Sequence, residues 1–592
     1  MCTFMFFLLP LLLLTNCFIL FFFKKWLGPF GLFFSSTLVW SVTLVLLAAQ
    51  LHFTIKSNTY LFVDMGRWFF VLDILDSNLL FVIDFLSLLT SLLVITLTIF
   101  AQYFGIEYMY REAFIMRLLY LLNMFATSVI FLFFVFDFFL ILVVWELIGL
   151  FSLLLVNFYS VRVYTLKAAL KTFIFSRLSD FFIFTVFLFL VFIFNTTDLS
   201  VLFLQIPFFL FYNLFIFNWG FNLLNILALS VLLSASIKAA QFFFHVWLPD
   251  AMEAPTPASA LIHSSTLVIM GIFLIIRFNI FFEFSVIANL IMALGGGCTI
   301  AFGSVVAAFQ NDIKKLVAYS TISQMGYLFC GCGFMCYTEV IFYLAIHALN
   351  KAFLFILVGY IVHYFYGNTD LRFMGSLYLY FIDFAIILLF ISLNLTGLPL
   401  TSGFLSKEFL LFQTFRDGWL VFVIRGFWFV SFIFTPVYML LLNINVMFGF
   451  KKAKPLIYST NYLNTFIKFY SNTTKHLDFK NSQITSRFGV FVFTILFFIN
   501  NFIGEFFIFS MFEITLPNSF LPETPASNQL VNQSLTLNTF TAFKLNIISL
   551  LITFIFTNSL RLLVLFKNIS VVNWVTTTLY LNTIFIISLL LL

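Results

Sequence analysis

Long apolar runs divided by short polar or Pro/Gly-containing breaks recur from one end of this chain to the other. They predict membrane helices near 5–23, 31–55, 79–104, 113–135, 137–159, 168–194, 222–248, 257–278, 284–309, 315–336, 338–363, 379–412, 419–449, 488–511 and 541–566, with 569–592 left over. Each run is close to the ~20 residues a helix needs to cross a bilayer, and a helix pairs every backbone group within its own segment. Alternation of apolar and polar positions is absent, which rules against a transmembrane barrel. The expectation is an all-α, polytopic membrane helix bundle of about fifteen spans. Lys24 and Lys25 directly follow the first run with no small-residue cleavage site, so that run reads as a retained span and not a signal peptide.

Composition supports the same class. Hydrophobic residues make up 63% of the 592 positions and charged residues 9%, against about 25% charge in a soluble domain. Phe alone accounts for 95 positions. Phe, Ile and Asn have AT-rich codons, which points to a strongly AT-biased, organelle-encoded gene. Cys330, Cys332 and Cys336 form the run CGCGFMC inside an apolar segment without CxxC pairs, a poor fit to zinc or cluster ligation. Gly295 to Gly297 lack a preceding strand and a G-x-G-x-x-G frame, so helix packing suits them better than phosphate binding.

Charge orients the spans. With the N-terminus on the outer side, one face collects Lys24, Lys25, Arg111, Arg162, Lys314, Lys315 and Arg372, and the positive-inside rule names that face. The loop 450–487 holds Lys451, Lys452, Lys454, Lys468, Lys475, Lys480 and Arg487 against Asp478, a net of +6 (7 − 1). It is expected on the inner side, where it can also meet anionic lipid. The next loop carries Glu513 and Glu523 and no Lys or Arg, as the opposite face should.

Against this apolar background a few ionisable residues stand out. Lys238, His245 and His263 lie within Ser234 to Met270, and a charge at a helix centre costs about 2.5–3.5 kcal/mol on insertion scales. Two readings compete: a proton relay, or buried groups satisfied by neighbouring hydrogen bonds. There is also an internal echo. Lys238 follows Ser-Ala-Ser and precedes Trp-Leu-Pro, while Lys407 follows Leu395-Thr-Gly-Leu-Pro-Leu-Thr-Ser-Gly403. Interrupted helices at matching places in two halves are the signature of transporter repeats. The chain thus divides into N-terminal spans (1–112), a first repeat (113–278), a second repeat (284–449), the basic loop (450–487) and C-terminal spans (488–592), with two inverted-topology five-helix repeats at its centre.

Three blocks carry a family resemblance: His245-Val-Trp-Leu-Pro-Asp-Ala-Met-Glu-Ala-Pro-Thr-Pro-Ala-Ser-Ala-Leu-Ile-His263, Asp312-Ile-Lys-Lys-Leu-Val-Ala-Tyr-Ser-Thr-Ile-Ser-Gln-Met-Gly-Tyr327 and Gly403-Phe-Leu-Ser-Lys-Glu408. Trp145-Glu-Leu-Ile-Gly149 and Ser176-Arg-Leu-Ser-Asp180 add weaker support. The chain resembles the antiporter-like, Mrp-related family of proton-pumping subunits of respiratory complex I, and within it the subunit 5 branch. That resemblance implies proton translocation in the mitochondrial inner membrane, beside other membrane-arm subunits and especially the sister subunit 4. It also implies no cofactor in this chain, with NADH, FMN, iron-sulfur clusters and ubiquinone held by other subunits, and no nucleic-acid partner.

The resemblance further implies a buried relay. Glu146 and Lys238 would form a mid-membrane pair, and His263, His347, Lys351 and Lys407 would continue it laterally, with Glu408 as the acid beside Lys407. His347 and Lys351 share a helix face by their spacing of four. Arg177, Asp180 and His245 would support the site, although a plain structural salt bridge suits Arg177 and Asp180 better, and His363 suits an interfacial position. A sodium/proton antiporter of the Mrp type is one alternative, disfavoured by the chain's length; a non-pumping scaffold is another, disfavoured by the buried charges. At the C-terminus, the residues after Lys567 reach roughly 36 Å as helix, one crossing at most, so the family's long lateral helix is expected to be absent or severely shortened.

Overall fold

Polar residues decide where the apolar helices start and stop. The computed structural model describes residues 2–449, apart from 58–59, 72–74, 110–111, 113, 211, 217–218, 265, 366, 380–381, 398–400 and 414–418. The basic loop, the C-terminal spans and the expectation about the lateral helix lie outside the described residues. Within them, nine helices are long and apolar enough to cross a membrane.

The N-terminal helices are α1 (Cys2–Phe22), α2 (Lys24–Ser57), α3 (Phe85–Tyr108) and α4 (Ile115–Phe134). α2 kinks at Gly28, whose φ of 64° places it in the left-handed region that glycine tolerates, just ahead of Pro29. Asp84 caps α3 by accepting from the Ser87 amide at 2.9 Å, and the Ser87 hydroxyl accepts from the Asp84 amide in return. These helices are joined through one buried amide. The Asn123 Oδ1 accepts from Asn16 Nδ2 (3.1 Å), Trp40 Nε1 (2.5 Å) and Gln102 Nε2 (3.0 Å), so α1, α2 and α3 all dock on α4. In an apolar medium such bonds replace the hydrophobic drive that lipid cannot supply between helices.

The expected all-α chain gains two short antiparallel hairpins. Strands β1 (Leu61–Val71) and β2 (Leu75–Ile83) pair between α2 and α3, so the run predicted to begin a helix at 79 starts as a strand. Strands β3 (Asn213–Ile216) and β4 (Trp219–Asn222) precede the helix that starts at Leu223. Both occupy connections between helices, where period-2 pairing satisfies backbone groups that helices leave open.

The central helices follow. α5 (Phe138–Val156) is capped by Asp137, which accepts from the Leu140 amide at 3.1 Å. α6 (Val163–Phe189) runs into a short π-helical turn, and α7 (Leu199–Gln205) is a single short helix after it. α8 (Leu223–Lys238) then ends abruptly. The run expected as one span over 222–248 is therefore half a helix, followed by an irregular stretch, α9 (Trp247–Asp250) and α10 (Thr256–Ser264). α10 gives way to α11 (Leu267–Arg277) and the short α12 (Asn279–Glu283).

α13 (Val286–Ala308) and α14 (Ile313–Gly333) pack closely because of glycine. A Cβ on Gly296 would come 2.6 Å from the Cys330 amide nitrogen, and one on Gly303 would come 2.8 Å from that of Ser323. Of the run Gly295 to Gly297, Gly296 is in this contact while Gly295 faces open space. α15 (Tyr337–Tyr364) is buried along most of its length. The run expected over 379–412 breaks into α16 (Ile382–Thr396) and α17 (Ser402–Gln413), with Gly397 at φ 76° after the first. α18 (Trp419–Asn443) completes the described bundle. The segment after α18 is tied down where the Ser376 amide donates to the Gly449 carbonyl at 2.6 Å.

Candidate functional site

Both helix breaks place a lysine in the core. Lys238 is the last residue of α8 and is 2% exposed. After it the backbone turns through Ala240 and Phe243, both at positive φ. The carbonyls released by the break find partners: the Ile237 oxygen accepts from Trp247 Nε1 at 3.0 Å, and the Ser236 oxygen from the Gln241 amide at 2.9 Å. A lysine ammonium at a helix C-terminus also meets the negative end of the helix dipole. The side chain passes close to α5, since a Cβ on Gly149 would lie 3.4 Å from Lys238 Nζ, and Nζ stands 5.2 Å from the Trp145 ring centre. A cavity of about 10 Å³, room for one water, adjoins it, with Ser152, Thr172, Ser176 and Trp247 among its walls.

The carboxylate nearest to Lys238 departs from expectation. Asp180 on α6 has Oδ1 3.8 Å from Lys238 Nζ. Arg177 bridges outward, 3.4 Å from Asp180 Oδ2 and 3.7 Å from Glu146 Oε1. Arg177 therefore links Glu146 to Asp180, and the salt bridge of Arg177 with Asp180 expected from the sequence is present, with Asp180 next to Lys238. Ser179, one residue along, accepts from Trp145 Nε1 at 3.1 Å and donates to the Ser234 carbonyl at 3.2 Å, which fixes α5, α6 and α8 around the cluster. Lys171 pairs with Asp250 and ties the broken stretch to α6.

His263 lies in the last turn of α10 and is fully buried, with ring centres of Trp247 and Phe355 at 6.3 and 6.1 Å. Neither of its ring nitrogens has a hydrogen-bond partner among the described residues, and the same holds for His347 on α15. Lys351, one turn beyond His347, donates to Ser320 Oγ at 2.5 Å. Lys407 on α17 donates from Nζ to the Leu395 carbonyl at 2.5 Å, an acceptor freed by the break after α16, and stands 5.8 Å from the Tyr327 ring centre.

Two expected members sit less centrally. Glu408 is buried, with Oε1 lacking a partner, but no ion pair joins it to Lys407 among the described residues. Consecutive helix residues project about 100° apart, which separates them. His245 is half-buried in the irregular stretch with its ring 4.6 Å from that of Phe302. His363 is exposed near the end of α15, 5.7 Å from the Tyr108 ring.

Some polar anchors left no mark in the motifs. Arg277 at the end of α11 clamps Asp84 at 2.5 and 3.4 Å and also donates to the Phe133 carbonyl at 3.1 Å. It ties α11 to the cap of α3 and the end of α4. A lone arginine closing an apolar run was the only signal for it. Asn350 and Asn394, discussed below, are likewise unannounced. Among the described residues no group of His, Cys, Asp and Glu is arranged to hold a metal ion. Cys330 and Cys332 are buried, and the buried Cys336 donates from Sγ to the Phe334 carbonyl at 3.3 Å.

This geometry agrees with comparisons to known proteins. A family model described as NADH:quinone oxidoreductase/Mrp antiporter, TM, matches residues 135–434. NADH-ubiquinone oxidoreductase chain 5 of Paramecium tetraurelia is 36% identical over 469 residues, covering 76% of this chain and 79% of that protein. The protein of the same description from Nyctotherus ovalis is 40% identical over 433 residues, 72% of this chain; the chain spans only 23% of that relative's length. The one from Acanthamoeba castellanii is 35% identical over 412 residues, 68% of this chain and 60% of its own length. A solved Mrp complex from Dietzia sp. DQ12-45-1b shares the fold, with a TM-score of 0.69 at 20% identity, covering 99% of this chain and 63% of that one. The matched segment contains both helix breaks and every buried lysine and histidine described above, and the chain belongs to the NADH:quinone oxidoreductase/Mrp antiporter transmembrane family.

Proposed function

We propose that this multi-pass membrane protein moves protons as a membrane-arm subunit of NADH:ubiquinone oxidoreductase in the mitochondrial inner membrane. The observation that carries the reading is the set of buried bases inside an apolar bundle: Lys238 and Lys407 at two helix breaks, His263 in the last turn of α10, and His347 and Lys351 on the continuous α15. Charge there is expensive, and each of these groups can take up and release a proton. Lys238 exchanges its proton under the influence of Asp180, which Arg177 links to Glu146. His263 then connects this cluster to His347, Lys351 and Lys407, its free ring nitrogens suited to hydrogen bonds with water. Redox chemistry with NADH, FMN, iron-sulfur clusters and ubiquinone is assigned to other subunits; the relatives' name favours a place in NADH:ubiquinone oxidoreductase over sodium/proton exchange.

The exposed side of the first cluster supports a protein neighbour. Glu146 and Arg177 lie in the middle of their helices with side chains 45% and 38% exposed. An ion pair facing hydrocarbon at mid-span is costly, so a neighbouring membrane subunit, the sister subunit 4 in this reading, covers that flank. The test is Lys238→Met in the assembled complex, with proton translocation measured in sealed vesicles and assembly followed on native gels. The expected result is loss of most pumping with assembly retained; full pumping by the assembled variant would overturn the reading.

A further inference from the structure

Asn350 and Asn394 form a buried bridge across the second helix break. Asn394, two residues before the end of α16, donates from Nδ2 to Asn350 Oδ1 at 3.0 Å. Its own Oδ1 accepts from the Gly403 amide at 2.6 Å and from Ser402 Oγ at 3.2 Å. One side chain therefore caps the start of α17 and also reaches α15. All four atoms' residues are inside the protein, and both asparagines are 1% exposed. The fit is close at Gly403, where a Cβ would come 2.7 Å from Asn394 Oδ1, so a larger residue could not hold the bond.

The neighbours of this bridge are the groups of the second half of the relay. Asn350 stands between His347 and Lys351 in sequence on α15. Asn394 precedes Leu395, whose carbonyl holds Lys407 Nζ. Movement of α16 relative to α15 thus changes the distance from Lys407 to the helix of Lys351. Amides titrate outside the physiological range, so neither asparagine relays a proton by changing charge. We infer that Asn350 and Asn394 are positioning residues: their hydrogen bond sets Lys407 against the His347 and Lys351 helix, and their link to Gly403 holds the break open. This rests on the proposed function for the significance of Lys407, but the hydrogen-bonded bridge itself does not.

The experiment uses the assembled complex carrying Asn350→Leu, Asn394→Leu, the double variant, and Asn350→Thr, which keeps an oxygen acceptor. Proton-coupled NADH oxidation is measured together with amide hydrogen exchange at the peptide containing Gly403. Each Leu variant is expected to slow turnover about tenfold, the factor that one lost hydrogen bond in a barrier supplies. The double variant should be no slower than the slower single, because both remove the same bond. Asn350→Thr should recover much of the rate, a rescue that mere loss of bulk does not predict. Gly403 exchange should accelerate in Asn350→Leu, although the Gly403 amide is bonded to Asn394. Unchanged exchange there, or multiplicative slowing in the double variant, overturns the bridge. Should Asn350→Leu fail to assemble, Asn350→Thr is compared with Asn350→Ala, and slower turnover of the Thr variant under equal assembly overturns the bridge. Normal pumping by Lys407→Met would instead remove the proposed function while leaving the exchange result intact.

Discussion

Lys238 and Lys407 stand at comparable helix breaks, yet they are held by different chemistry. Lys238 has a carboxylate at 3.8 Å, continued by an arginine and a second carboxylate toward the side of the bundle. Lys407 and Lys351 are held by neutral oxygens, the Leu395 carbonyl and the Ser320 hydroxyl. A charged partner changes the affinity of a lysine for its proton when that partner moves, whereas a neutral oxygen stabilises the ammonium without that sensitivity. The first break is therefore built to respond to a neighbour's charge. The second is built to hold a fixed position, which is the work assigned above to Asn350 and Asn394.

The largest effect should come from replacing either lysine by a base that cannot let go of its proton. Lys238→Arg and Lys407→Arg keep the charge, but guanidinium stays protonated, so each is expected to lower pumping by about a hundredfold or more, the scale of a lost acid–base step. Equal pumping by parent and Arg variants in vesicles would show that neither lysine releases a proton. Next comes Asp180→Asn, which removes the charge nearest Lys238 and is expected to slow proton-coupled turnover about tenfold or more. Glu146→Gln acts through Arg177 and should cost only a few-fold, reversing the ranking that the motif alone suggests. If the Glu146 variant is the slower of the two, Lys238 answers to Glu146 directly and the chain through Arg177 is wrong.

Smaller effects sharpen the neutral side of the comparison. Ser320→Ala removes one uncharged acceptor from Lys351 and should slow turnover by a few-fold, as loss of ~1 kcal/mol would; a loss as large as that of Asp180→Asn would erase the distinction between the two breaks. In the connection between α15 and α16, Arg372 forms hydrogen bonds with Asp370 at 2.6 to 3.0 Å and holds its carboxyl below the usual carboxylate range. A depressed folded pKa means the contribution to stability is present above the unfolded value of about 3.9 and is lost as pH falls through the lower folded value. Asp370→Asn should therefore cost little, and only above that range, in thermal unfolding followed from neutral to acid pH, with pumping unchanged.

Much of this was legible beforehand because lipid imposes a strict code. Apolar length set the spans at α3 to α6, α13, α14, α15 and α18 within a few residues, and an ionisable residue inside such a span was conspicuous by its cost. Lys238 and His263 were visible in that way and Lys407 through the internal echo, whereas His347 and Lys351 were named only through the family resemblance. Less could be read of the breaks, because a run such as 222–248 is equally apolar whether it continues or stops at Lys238. Pro249, Pro255 and Pro257 mark irregularity, but only packing shows that Trp247 returns to cap Ile237. Of the hairpin, only the end of the second strand fell inside a predicted run, the one starting at 79, where its apolar residues blend into the following helix.

What the sequence by itself determined is the class of the protein, the approximate position of its helices, and the residues that must justify their presence in a membrane. These follow from one-dimensional quantities, the length of an apolar run and the transfer cost of a charge, which need no knowledge of neighbours. Only the tertiary structure decided who partners whom. Asp180 and not Glu146 stands beside Lys238, Glu408 is separated from Lys407 by helix geometry, and Asn350 meets Asn394 across a gap of 44 positions. Hydrogen bonds and ion pairs act over a few ångströms and in particular directions, and helices far apart in sequence come within that range only once they have packed.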